Sequence, residues 1–228
     1  MIALGEVSKT YQRGGESLTV LNNISLNIAR GEFVAIVGSS GSGKTTLLNL
    51  IGLLDRFDSG DYQINEQNVG LMSEKQLAKL RCENIGYVFQ SFNLLPRLSA
   101  LKNTELPMVY QRLSRKQRQV IAAECLAQVG LKERMHHLPA QLSGGQQQRV
   151  AIARALANQP EIIIADEPTG SLDSTTGHDI MKMFCALHRA GKTIVMVTHE
   201  QDIAAYASRV ITLSDGELVA DVRQGDSP

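Results

Sequence analysis

Along the chain, apolar runs of strand length alternate with longer stretches whose apolar side chains recur at helical spacing. Residues 18–28, LTVLNNISLNI, alternate apolar and polar side chains and predict a half-buried antiparallel strand. FVAIVG at 33–38 is a short β-rich run ending in glycine, TTLLNLIGLL at 45–54 reads as a buried helix, and IGYVF at 85–89 as another strand. Residues 114–130 open with Ser114 and Gln117 in capping-box spacing and stop at Gly130. Val120, Ile121, Leu126 and Val129 are expected to line one face of that helix. A second helix is expected to start just after Gly144 and run through Ala157. The continuous apolar run at 162–165 predicts a parallel strand buried on both faces. A helix over 179–189 stopped near Gly191, a buried strand at 193–198, and a hairpin over 210–220 turning at Asp215-Gly216 complete the pattern.

Strands and helices alternate at both ends around a helical middle. That order predicts one α/β domain: a core over 1–90 and 161–228, a small antiparallel β region near the N-terminus, and an inserted α-helical subdomain over 91–160. There is no internal repeat and no low-complexity tract. Only the polar tail 221–228 follows the hairpin, so no further regulatory domain is expected.

Composition narrows the partners. Lysine plus arginine equal aspartate plus glutamate at 23 each, so no net field favours nucleic acid. The apolar stretches at 47–54 and 162–165 are too short to cross a bilayer, and the opening MIALGEVSKTY has no signal-peptide pattern. Cys82, Cys125 and Cys185 are odd in number and in no metal spacing, which suits reduced thiols in the cytosol. Any membrane part is expected on another chain.

The candidate chemistry begins at Gly38-Ser39-Ser40-Gly41-Ser42-Gly43-Lys44-Thr45, followed by Thr46. Two glycines bracket four residues ahead of Lys-Thr, between a predicted strand and a predicted helix: a phosphate loop. Its glycines let successive backbone N–H groups face phosphate, and the helix adds its positive end. Lys44 would reach the β- and γ-phosphates of ATP, and the Thr45 hydroxyl would ligate Mg2+. The 162–165 strand delivers Asp166 to hold magnesium and Glu167 to polarise the attacking water. Leu142-Ser143-Gly144-Gly145-Gln146 opens a helix and makes a second anion site, too far from the phosphate loop to serve the same nucleotide within one chain.

That string resembles the signature of the ABC ATPases, and nearly the whole chain, from about residue 4 to 219, follows the family's motifs in order. The resemblance implies a P-loop NTPase (RecA-like) core in the ABC ATPase fold. It also implies a head-to-tail homodimer in which one subunit's signature closes on the other's ATP. By the same resemblance Gln90 contacts magnesium and water and senses the membrane partner, and His199 touches the γ-phosphate. Asp173 belongs to the dimer-contact loop, and Tyr11 stacks on adenine, although an aromatic beside Gly14 and Gly15 also suits simple packing against the β region. Within the family, IGLLDRFDSG, FNLLPRLSALKN and ADEPTGSLD look most like the macrolide-exporter and lipoprotein-releasing group; importers and the cell-division ATPase share much of this wording. The expected partner is an integral membrane permease subunit, met at the cytoplasmic face of the inner membrane near Gln90, Phe92, Leu94, Leu95, Leu98 and Leu101. ABC ATPases of DNA repair carry a long coiled coil between loop and signature, and ribosome-acting ones carry two cassettes; neither feature is present.

Overall fold

A computed structural model describes residues 1–111 and 113–224; the end of the predicted polar tail lies outside them. In chain order the elements begin with β1 (Ile2–Arg13), β2 (Glu16–Ile28), β3 (Phe33–Val37), α1 (Lys44–Ile51), β4 (Ser59–Ile64), β5 (Gln67–Asn68), α2 (Glu74–Asn84) and β6 (Ile85–Phe89). They continue with α3 (Ala100–Glu105), α4 (Arg115–Gln128), α5 (Gly144–Leu156), β7 (Ile162–Asp166), α6 (Ser174–Arg189), β8 (Thr193–Val197), α7 (Gln201–Ala204), β9 (Arg209–Ser214) and β10 (Glu217–Arg223). The chain divides into two compact units, Met1–Arg81 with Gly191–Pro228, and Cys82–Ala190.

The first unit holds an antiparallel sheet in the order β2-β1-β4-β5. Its β1–β2 ladder pairs Ile2 with Ile28 and Tyr11 with Leu18. Alternation places Ile24, Leu26 and Ile28 inside; in β1 the buried positions step from Leu4 to Val7, because a bulge at Glu6 (φ 51°) shifts the phase by one residue. The same unit carries β10-β9-β3-β8, with β3 parallel to both β8 and β9. β8 is buried along its length, as its apolar run 194–197 requires, and the buried Thr193 hydroxyl accepts from Gly31 N at 2.9 Å. The β9–β10 hairpin turns at Asp215 (φ 49°) and Gly216 (φ 79°), two positive φ values that a type I′ turn demands.

In the second unit β6 and β7 pair in parallel, Ile85 with Ile162 and Phe89 with Asp166. Helix α4 has the expected capping box: Ser114 Oγ accepts from Gln117 N and the Gln117 side chain returns to Ser114 N. Its buried face is Ala122, Cys125, Leu126 and Val129, whereas Val120 is 52% exposed. The i, i+3, i+4, i+7 stripe starts at alanine, so the bulkier Val120 misled the sequence reading. Helix α6 begins at Ser174, five residues before the expected start, because Asp173 caps it by accepting from Thr176 N at 2.9 Å. Its buried stripe starts at Gly177 and continues through Ile180, Met181, Phe184 and Cys185. The helix expected over 45–54 ends at Ile51, capped by Gly52. Helices α2 and α3 and strand β4 were not foreseen. Cys125 and Cys185 are buried thiols, and burial pushes the Cys125 thiol up to about 11. Among the described residues no helix is long and apolar enough to cross a membrane.

Candidate functional site

In the first unit the phosphate loop joins β3 to α1. Gly43 caps α1 at φ 100°, and a Cβ there would stand 2.8 Å from the Val20 carbonyl oxygen, so the site admits no side chain. The cap therefore offers α1 no side-chain acceptor, and the first turn has no acidic residue. Its leading N–H groups and positive helix end suit an anion. Lys44 is buried to 8% exposure and its Nζ donates to the Ser39 carbonyl at 2.6 Å, arching the side chain back along the loop. Thr45 is exposed, which leaves its hydroxyl open to a cation, and Ser42 is buried. β8 runs parallel to β3 with Val197 opposite Ile36, and Thr198 N donates to the Ile36 carbonyl. The phosphate loop and the exposed His199 thus leave neighbouring strands at the same carboxyl end, where open α/β sheets bind ligands.

Tyr11 is 38% exposed. Its hydroxyl donates to Asp55 Oδ2 at 2.5 Å, and Lys9 Nζ reaches Asp55 Oδ1 at 3.0 Å while lying 5.0 Å from the ring centroid. Partial burial, then the hydrogen bond to Asp55, raise the Tyr11 phenol above its ordinary range; a hydrogen bond with Thr46 acts the other way. Burial pushes Asp55 up, but the bonds from Tyr11 and Lys9 outweigh it and hold the carboxyl low. Neither Lys9 nor Asp55 was a sequence candidate; Asp55 is 44 positions from Tyr11 and carries no motif.

In the second unit the Phe89–Asp166 pairing sets Gln90 and Glu167 side by side as the residues that follow β6 and β7. Glu167 adopts φ 43°, and its carbonyl accepts from Gly170 N at 3.1 Å. A Cβ on Gly170 would lie 2.8 Å from Gln90 Nε2 and 3.4 Å from Glu167 Oε2, so both functional side chains converge on this glycine. Asp166 and Glu167 are both half-buried.

The signature also lies in this unit. Ser143 caps α5 in a full capping box with Gln146, and Gly144 and Gly145 occupy the first turn, again without an acid. A Cβ on Gly145 would be 2.4 Å from the Thr176 methyl, so α6 packs against the start of α5. Ser143, Gly145, Gln146, Arg149, Thr176 and Asp179 face an open pocket of about 280 Å³. Asp173 is exposed, and its cap bonds from Thr176 hold its carboxyl below the ordinary range.

The profile of the family described as ABC transporter matches residues 21–170, which include the phosphate loop, Gln90, the signature and Glu167. The chain belongs to the ABC transporter ATP-binding family. It is an ABC transporter ATPase subunit with the ABC ATPase fold. The cassette is 52% identical to the ABC transporter ATP-binding protein YvrO of Bacillus subtilis, over 98% of this chain and 97% of the relative. It is 50% identical to the macrolide export ATP-binding/permease protein MacB of Escherichia coli, over 97% of this chain but only 34% of that longer protein. A solved dimeric ATP-binding cassette in a post-hydrolysis state, bound to ADP and Pi, superposes with a TM-score of 0.91 at 47% identity, covering 99% of this chain and all of that one.

Beyond Gln90 the cassette presents the segment expected to receive a partner. Leu95 is 48% exposed, Phe92, Leu94 and Leu98 are half-buried, and Leu101 is buried, so Leu101 belongs to the core and not to the surface. Asn103, fully buried, shapes this loop: it accepts from Leu95 N and donates to the carbonyls of Leu95, Leu98 and Ser99. It too escaped the sequence reading.

Proposed function

We propose that the cassette is the motor of an export machine. It would work as a head-to-tail homodimer around two ATP molecules with Mg2+ and drive an integral permease carried on another chain, at the cytoplasmic face of the inner membrane. One observation carries the reading: each unit presents a helix N-terminus opened by glycine and with no acidic residue in its first turn, fit for phosphate, α1 behind the phosphate loop and α5 at the signature. In the dimer each ATP would be held by one copy's 38–46 loop and by Ser143, Gly144, Gly145 and Gln146 of the other, with Asp173 at the contact. Support comes from the related cassette solved as a dimer with ADP and Pi. Residues 1–90 and 161–228 would form the catalytic core and 91–160 the helical subdomain. The macrolide export relatives favour efflux of macrolide-, peptide- or lipoprotein-type cargo.

In this mechanism Lys44 and the loop amides hold the β- and γ-phosphates, and Glu167 takes a proton from the attacking water as general base. Gln90 orients that water, and His199 donates to the γ-phosphate. Thr45, Asp166 and Gln90 would hold Mg2+, which when bound neutralises charge developing between the phosphates.

Tyr11 gives a direct optical test, because the chain contains no tryptophan. Tyr11→Trp is expected to bind ATP within a few-fold of the parent and to change fluorescence as adenine stacks on the indole. An unaltered spectrum at saturating ATP would return Tyr11 to a packing role. For the partner, Leu95→Glu is expected to abolish co-purification with the membrane subunit and transport, while the basal ATPase and melting temperature stay near the parent's values. Asn103, not Leu95, holds the loop, so the exposed leucine is free to serve a groove for a partner's amphipathic helix. Retained co-purification would place the docking surface elsewhere.

A further inference from the structure

We propose that Gln148 and Arg154 are positioning residues through which α5, the signature helix, holds the two loops that carry Glu167 and follow Gln90. The inference rests on the roles assigned above to Glu167 and Gln90. Gln148 is completely buried, and its Nε2 donates to the Pro168 carbonyl, directly after Glu167, at 2.6 Å. Its Oε1 meets no hydrogen-bond partner among the described residues. Methionine or leucine would fill that space without burying a lone acceptor, so the donor is what the position requires. Six residues along, the Arg154 guanidinium spans the other loop: Nη1 donates to the Asn93 carbonyl at 2.5 Å and Nη2 to the Phe92 carbonyl at 2.9 Å.

Both loops are backbone that does not persist unaided. Glu167 lies at φ 43°, Phe92 at 58° and Asn93 at 50°, the left-handed region in which non-glycine residues survive only where the surroundings over-determine them. Glu167 Oε2 and Gln90 Nε2 meet around Gly170, so the spacing of the catalytic carboxylate and the water-orienting amide follows from how the two loops are pinned. Positions six apart on a helix point about 120° apart around its axis, which lets a single rigid rod reach both loops. The rod's first turn is the signature itself, so the element that would grip the partner copy's ATP is bonded to the loops that act on this copy's own.

The test uses the full chain carrying Gln148→Met or Arg154→Lys. Methionine keeps the volume and loses the donor; lysine keeps the charge but cannot span two carbonyls as the planar guanidinium does. Each variant is expected to lose about tenfold or more in kcat, with KM and the Kd for ATP within about twofold of the parent. In single-turnover assays on a Glu167→Gln background, Gln148→Met is expected to add no further loss, because it acts through Glu167. Normal kcat in both variants, a matching fall in ATP affinity, or a multiplicative loss on the Glu167→Gln background would each overturn the proposal. Arg154→Lys, at a half-buried site, decides the matter if Gln148→Met does not fold. Normal turnover by Glu167→Gln alone would remove the general-base assignment, while a selective kcat loss in Gln148→Met and Arg154→Lys would still locate the pinned loops in the machinery.

Discussion

Glu167→Gln is expected to bind ATP normally while kcat falls about 10²–10⁴-fold, the usual worth of a general base. Glutamine preserves the side-chain shape that fits beside Gln90 around Gly170, so packing is undisturbed. It removes the carboxylate proposed to take the proton from water. Steady-state phosphate release measures the loss. With binding intact and hydrolysis blocked, ATP should also hold the variant as a dimer, which size-exclusion chromatography with and without nucleotide reads directly. Normal turnover, or a loss explained by weaker ATP binding, would exclude Glu167 from the base role.

Lys44→Ala and Ser143→Arg are expected to be inactive alone and partly active when mixed. Lys44 would form charge-assisted bonds to phosphate worth roughly 1.5–3 kcal/mol, so its loss is expected to weaken ATP binding about 10- to 100-fold. Arginine at Ser143 removes the α5 cap and fills the pocket shared with Gly145 and Arg149. In a head-to-tail pair of one copy of each, a single composite site carries both lesions and the other carries neither. Regained ATPase on mixing is the predicted result. Parent-level activity in isolated, verified monomers of unmodified protein would refute the shared site.

Two further substitutions separate the remaining surfaces. A Leu95→Glu chain that hydrolyses ATP yet no longer binds the membrane subunit divides motor from docking. Tyr11→Trp reports on the adenine side alone. Lys9 and Asp55 show why that position was the hardest to read: whether an aromatic near two glycines packs or stacks depends on what pins its hydroxyl, and Asp55 comes from a distant turn.

What the sequence determined by itself was encoded between near neighbours in the chain, though not every local signal is legible, as the Asp173 cap of α6 shows. The phosphate loop between strand and helix, the capping box of Ser114 with Gln117, and the Asp215-Gly216 turn depend on groups within a few residues of one another, and form as read. The buried strands β7 and β8 followed as well, to within one residue at their ends, since unbroken apolar runs such as 162–165 and 194–197 have few alternatives to a buried strand. Tertiary structure decided which face of α4 is inside, which loop Asn103 shapes, what holds Tyr11, and how Gln90 comes to stand beside Glu167. Gln148 and Arg154 are the sharpest cases: their partners lie 20 and 62 positions away, and glutamine or arginine on a helix carries no local sign of its acceptor. A hydrogen bond is a short-range force, so its partner is set by where the chain returns in space, and only the folded arrangement of β6, β7 and α5 brings those carbonyls within reach.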